Sequence, residues 1–157
     1  MLQEKDQMLS SNVAIKGVCH IRLWGPDGEL KEERIIHNTV TELGDAHVAD
    51  AMSDIGEAVL GFIATGTGSG QVAADVGLDA SLNRKALTST TLGLGAADND
   101  VVFVGDWAAG VGSGAITEAG IFVGDNNTSM NYYADFAVVT KGAADTLEIT
   151  WTVTYGT

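Results

Sequence analysis

The sequence predicts a mostly β protein, an antiparallel β-sandwich or jelly-roll-like domain that carries one α-helix. Three observations predict it. Apolar and polar residues alternate over long stretches, most clearly where Leu147, Ile149, Trp151, Val153 and Tyr155 interleave with Glu148, Thr150, Thr152 and Thr154. A side-chain period of two belongs to a strand with one buried face. The chain holds 20 glycines against a single proline, Pro26, a balance that serves tight turns rather than helix interiors. Short apolar runs recur along it with turn residues between them, which suits a sandwich better than alternating β-α-β units.

Element by element, residues 1–12 show neither a helical nor a strand period and are expected to form a flexible or partner-ordered N-terminal arm. Met1, Leu2, Met8 and Leu9 stand among polar residues there and are its candidate partner-binding residues. A single sandwich domain is expected over 13–157. Its first strand places Val13, Ile15, Gly17, Cys19, Ile21 and Leu23 on one face, with Lys16, His20 and Arg22 on the other. Gly25-Pro26-Asp27-Gly28 supplies a preset φ and a permissive glycine, so residues 29–36 return as a hairpin partner. Thr39 followed by Glu42 has the spacing of a capping box, and Val48, Ala51, Met52 and Ile55 follow at helical spacing. That predicts a helix over about 41–53, stopped by Gly56. Residues 58–65 form an apolar run bounded by glycine, hence a buried strand. The glycine-rich stretch 66–70 opens a long polar connection reaching about residue 83, anchored by Val76, Leu78 and Leu82. Four strands are then predicted over 87–94, 101–107, 115–123 and 131–139, ahead of the final alternating one.

Composition bounds the function. Hydrophobic residues make up 45% of the 157 and charged ones 18%, which describes a folding chain of ordinary domain size. Lys and Arg total 8 against 21 Asp and Glu, a formal charge of −13. Such a field repels phosphate backbones and anionic membranes, so no direct nucleic-acid or membrane binding is expected, while solubility and partners with basic patches are favoured. Cys19 is the single cysteine, which rules out an internal disulfide and a thiolate metal cluster and suits assembly in a reducing cytoplasm. The first residues lack the basic and apolar regions of a signal peptide, and no stretch approaches the roughly 18 apolar residues of a membrane span.

The chemistry-bearing residues point away from catalysis. There is no G-x-S-x-G elbow, and the histidines are His20 on a polar strand face, His37 before the helix, and His47 on the helix with Asp50 three residues on. Surface and hydrogen-bonding roles fit all three, and no enzyme is expected. Gly66 to Gly70 lacks the Lys-Ser/Thr ending of a P-loop and the spacing of a dinucleotide fingerprint, and reads as a flexible turn. Asp98-Asn99-Asp100 and Asp125-Asn126-Asn127 cluster oxygen ligands without forming an EF-hand loop, and read as turns, so no cofactor or metal is expected. Of the tryptophans, Trp151 lies on the alternating apolar face and Trp107 ends an apolar run, both favouring packing, whereas Trp24 beside a turn leaves a sugar platform open. Glu118 interrupts an apolar strand beside Gly120. It is expected to accept hydrogen bonds from a neighbouring strand or loop, with Arg84 or Lys141 as candidate partner, because a buried unpaired carboxylate costs about 3–5 kcal/mol.

Several phrases, taken in order, resemble a broad set of tailed-bacteriophage virion structural proteins. Asp27-Gly28, then His37-Asn38-Thr39-Val40-Thr41 and Gly44, is similar to that set's N-x-V-T-x-x-G opening phrase. The run Ile63-Ala64-Thr65-Gly66-Thr67-Gly68, followed by Leu78 and Arg84, resembles its G-T-G segment. Ala115-Ile116-Thr117-Glu118-Ala119-Gly120-Ile121-Phe122 is similar to its T-E-A-G strand, and Lys141 with Leu147-Glu148-Ile149-Thr150-Trp151 to its closing strand. Leu82-Asn83-Arg84 departs from the set, in which a Glu is common before the Arg. The resemblance implies a capsid decoration (cement) protein, made in the bacterial cytoplasm and resident in the virion, that binds the major capsid protein or another virion protein as a symmetric homo-oligomer, with a trimer favoured. It equally covers tail, baseplate and head-fibre connector modules, and a host-glycan-binding domain is the third expectation.

Overall fold

The computed structural model describes residues 14–53, 58–94 and 98–156. The alternation read from the first segment produces β1 (Ile15–Trp24), which buries Gly17, Cys19, Ile21 and Leu23 in turn. At its end the Gly28 N–H donates to the Gly25 carbonyl at 3.0 Å, and Gly28 takes a φ of 78°, which a residue without Cβ adopts at no steric cost. The chain returns as β2 (Leu30–His37) and continues through β3 (Thr39–Val40), α1 (Glu42–Ser53), β4 (Phe62–Gly66), β5 (Ser81–Ala86), β6 (Ser89–Leu92), β7 (Asp100–Trp107), β8 (Gly114–Phe122), β9 (Met130–Lys141) and β10 (Thr146–Tyr155).

These strands build two five-stranded antiparallel sheets, ordered β2-β1-β10-β7-β6 and β3-β9-β8-β4-β5. The long pairing of β1 with β10 sets Cys19 opposite Trp151 and Ile21 opposite Ile149, so the apolar residues of both strands share one inner face. They pack on Ile63, Ile121, Tyr132 and Val139 of the second sheet to form the main core. Each large aliphatic side chain hidden this way contributes about 1.5–3 kcal/mol relative to exposure. Trp151 is wholly buried, and its indole N–H donates to Asn38 Oδ1 at 3.0 Å. Asn38 lies directly over Gly17, where a Cβ would stand 1.6 Å from that same oxygen. Along one side of the sandwich β2 is laced to β9, since Arg34 donates to the Val138 carbonyl at 3.1 Å and Glu32 accepts the Thr140 N–H at 3.1 Å.

Among the described residues the architecture is the predicted sandwich with one helix, with three local differences. Thr39 lies in β3, and the cap of α1 is Thr41, whose Oγ1 accepts the Gly44 N–H at 3.0 Å while its hydroxyl donates to the Met130 carbonyl at 2.6 Å. The expected apolar face of α1 does not enter the core. Met52 is 85% exposed, Gly44 is the buried residue of the helix, and Ile55 and Gly56 lie outside the described residues. Finally, the polar connection ends at residue 80, just before β5, and the strand expected over 87–94 shrinks to β6. The Leu87 N–H bonds the Gly61 carbonyl and the Thr88 N–H bonds that of Val104, so the chain changes sheets within two residues. Hydrophobic period carries no mark of such a switch.

Candidate functional site

The polar connection between β4 and β5 is strapped onto one end of the second sheet, and Glu118 on β8 is its anchor. The carboxylate is fully buried; Oε1 accepts the N–H groups of Gly68 at 3.1 Å and Ala80 at 2.9 Å, and Oε2 accepts that of Asp79 at 3.3 Å. Three backbone donors around a carboxylate compensate the desolvation of its charge. Glycine makes the approach feasible: a Cβ at Gly66 would stand 2.4 Å from Glu118 Oε1, and one at Gly68 would stand 2.6 Å from the Asp79 side chain. The expected flexible turn of the G-T-G segment is therefore a close-packed crossing. Thr117 completes it by donating to the Gly68 carbonyl at 2.7 Å.

Asn127 holds the far end of the same loop. Its amide donates to the Leu78 carbonyl at 2.9 Å and accepts the Leu78 N–H at 3.0 Å, reproducing a strand pairing with one side chain. Leu78 is thereby pressed into a satellite cluster with Phe122, Met130 and Tyr133. Arg84 on β5 donates to Asn127 Oδ1 at 3.1 Å, lies 4.0 Å from Asp125, and stacks its guanidinium 3.8 Å from the centroid of the Phe122 ring. Burial lowers its pKa from the usual arginine value and Asp125 opposes that shift. Arg84 thus serves the loop through Asn127, while Glu118 is held by the backbone of Gly68, Asp79 and Ala80 with the Tyr133 hydroxyl beside it.

Lys141 belongs to a different knot, at the β9–β10 turn. It is buried, donates to the Ala108 carbonyl at 3.0 Å, and has its pKa lowered by burial, with Asp145 opposing. Asp145 accepts two bonds from the Lys31 ammonium, at 2.9 and 3.0 Å, and one from the Gly142 N–H at 2.8 Å. The Lys31 bonds, then the Gly142 bond, hold its carboxyl below the ordinary aspartate range. The arrangement ties β2 to the β9–β10 turn.

Hollows open on the surface among the described residues. One of about 470 Å³ is lined by Gln71, Asp75, Asp79, Asn127 and the backbone of 76–78, one of about 220 Å³ by Leu43, His47, Asp50 and Ser129 beside α1, and one of about 230 Å³ by Trp24, Asp106, Trp107 and Glu148. Trp107 is 1% exposed and its indole N–H is engaged by Asn83 at 2.8 Å, so its ring is core. Trp24 is half-buried, with the Arg22 guanidinium 5.3 Å from its ring centroid. His20 meets Glu33 at 2.5 Å on the outer face of the first hairpin, and His37 is exposed. Asn99 and Asp100 bond Tyr155 and Thr154 at the end of the first sheet, and Asn126 closes its own turn on Thr128. Cys19 is enclosed in the core, where burial pushes its thiol far above the ordinary range. Among the described residues no three His, Cys, Asp or Glu side chains converge as a metal site, and no helix is long and apolar enough to cross a membrane. The candidate partner-binding residues Met1, Leu2, Met8 and Leu9 lie outside the described residues.

Fold and knots together define a two-sheet antiparallel β-sandwich with a loop strapped across one end and shallow hollows on its surface. No family model, curated protein or solved structure matches the chain.

Proposed function

We propose that the chain is a tailed-phage virion protein that decorates and stabilises a capsid by binding neighbouring capsid subunits as a symmetric oligomer. The observation that carries this reading is that the phrases behind the resemblance meet in pairs in space. Asn38 of the first phrase caps Trp151 of the last, and Gly66 and Gly68 of the second close on Glu118 of the third. The shared residues are thus folding contacts, which supports kinship with a structural scaffold. The charge of −13 supports a basic protein lattice as partner and disfavours the packaged nucleic acid. Many repeated weak contacts across a lattice raise overall binding by roughly a hundredfold or more without a deep site.

Electron microscopy of particles assembled with and without the protein tests this. Density at every equivalent position of the capsid lattice is the expected result. Density confined to the tail, baseplate or a head fibre assigns the protein to the connector reading, and particles that never carry it dispose of both. A glycan-binding reading rests on Trp24 alone. Glycan-array binding that Trp24→Ala abolishes would replace the structural proposal.

A further inference from the structure

The four outer strands of the two sheets are not alike. β2 carries Lys31, Glu32, Glu33 and Arg34, two of which cover the adjoining backbone of β9. β5 carries Asn83, Arg84 and Lys85, and β3 is two residues long and leads almost directly into α1. Charge, brevity and cover are the devices by which sheets prevent unwanted edge pairing. β6 is short but twice the length of β3, and among the described residues it has neither charge nor cover. Its four residues, Ser89, Thr90, Thr91 and Leu92, are uncharged and all exposed, and Leu92 and Leu94 are 67% and 88% exposed. No charged residue and no proline occurs from 87 to 97, in a chain of net charge −13. Among the described residues β6 pairs with β7 alone.

We propose that β6 is the seam at which a second copy of this chain docks, antiparallel, edge to edge, joining the first sheets of two protomers into one continuous sheet. The Gly93 N–H donates to the Asp100 carbonyl on the β7 side. By antiparallel alternation Thr90 and Leu92 turn their N–H and C=O groups to the open side. A twofold axis through Thr91 sets Thr90 opposite Leu92 of the second copy and satisfies all of those groups in about four hydrogen bonds. Thr91 then faces Thr91 of the second copy, a favourable cross-strand pair. Charge decides which edge a second copy can use: β2 would set Lys31, Glu32, Glu33 and Arg34 against a like-charged body, β5 would set Arg84 and Lys85 against their own counterparts, and β6 is the described edge of more than two residues that brings no charged side chain into contact. The inference stands apart from the capsid reading, because a dimer that ignores capsids and a monomer that binds them are separable results.

Sedimentation at tens of micromolar is expected to give a dimer. Thr91→Lys sets like charges opposite each other at an exposed position, so it should weaken the dimer at least tenfold while leaving the melting temperature unchanged in dilute solution, where both proteins are monomeric. Thr91→Cys should form a covalent dimer on mild oxidation. Facing Cα atoms in such a pair stand about 4.5 Å apart, within disulfide reach, and Cys19 is buried and inert. A monomeric wild type, an oligomer such as a trimer whose mass Thr91→Lys leaves unchanged, or a Thr91→Cys protein that stays uncrosslinked would each overturn the proposal. The crosslinking result decides even if the lysine variant fails to fold.

Discussion

Glu118 and Asp145 are buried carboxylates stabilised in different ways, and the difference sets what each substitution does. Glu118 is held by three N–H groups of one loop, so Glu118→Ala removes a charge and also strands buried donors of Gly68, Asp79 and Ala80. A loss of about 3–5 kcal/mol in urea denaturation is expected. A loss under about 1 kcal/mol would mean that water satisfies those donors and that the carboxylate is not the anchor. Asp145 is held chiefly by Lys31, and its pKa is depressed in the folded state. Its contribution is therefore complete above the unfolded value of about 3.9 and disappears as pH falls through the lower folded value. Urea titrations of wild type and Asp145→Asn should differ most at neutral pH and converge in strong acid; a gap that widens on acidification contradicts the Lys31 assignment. Sequence named Glu118 from its position in an apolar strand but offered Arg84 and Lys141 as partners. The loop's donors are backbone groups, which carry no residue identity and become visible only once the loop is folded over β8.

The strands differ in how plainly sequence announces them, and burial explains why. β1 and β10 lie within the first sheet and bury alternate residues, so their period of two is written in Cys19, Ile21 and Leu23 and in Leu147, Ile149 and Trp151. β5 and β6 lie at sheet edges with few buried residues, leaving no alternation to read, and the switch between sheets at 87–88 fell inside one apparent run. The helix is legible from its spacing, but its cap lies two residues beyond the expected one, because Thr39 has the Glu42 of a capping box three residues on whereas Thr41 has Gly44 there, and the chain caps on Thr41 all the same. Thr41 does more than cap α1, since its buried hydroxyl also bonds the carbonyl of Met130 at the start of β9. Thr41→Ala should cost about 1–2 kcal/mol, toward the upper end of the capping range. Thr39→Ala, at an exposed strand position, should cost under about 0.5 kcal/mol. Thermal melts that rank the two substitutions the other way would restore Thr39 as the cap.

A net charge of −13 spread over 157 residues makes every encounter of this molecule a question of ionic strength. Two kinds of contact are at stake, and salt acts on them with opposite sign. Joining two copies through the uncharged β6 adds backbone hydrogen bonds and apolar contact at Leu92 and Leu94 while bringing two acidic bodies together, so screening removes a penalty. A basic lattice attracts the same body, so screening removes a gain. The Debye length falls from about 30 Å at 0.01 M salt to about 3 Å at 1 M, which spans the distance between charges on neighbouring domains. Self-association measured by sedimentation should therefore tighten severalfold across that range, while binding to a basic capsid surface should weaken. Dimers that dissociate as salt rises would show a contact built on ion pairs, which the composition of β6 cannot supply, and would move the interface to the charged strands β2 or β5.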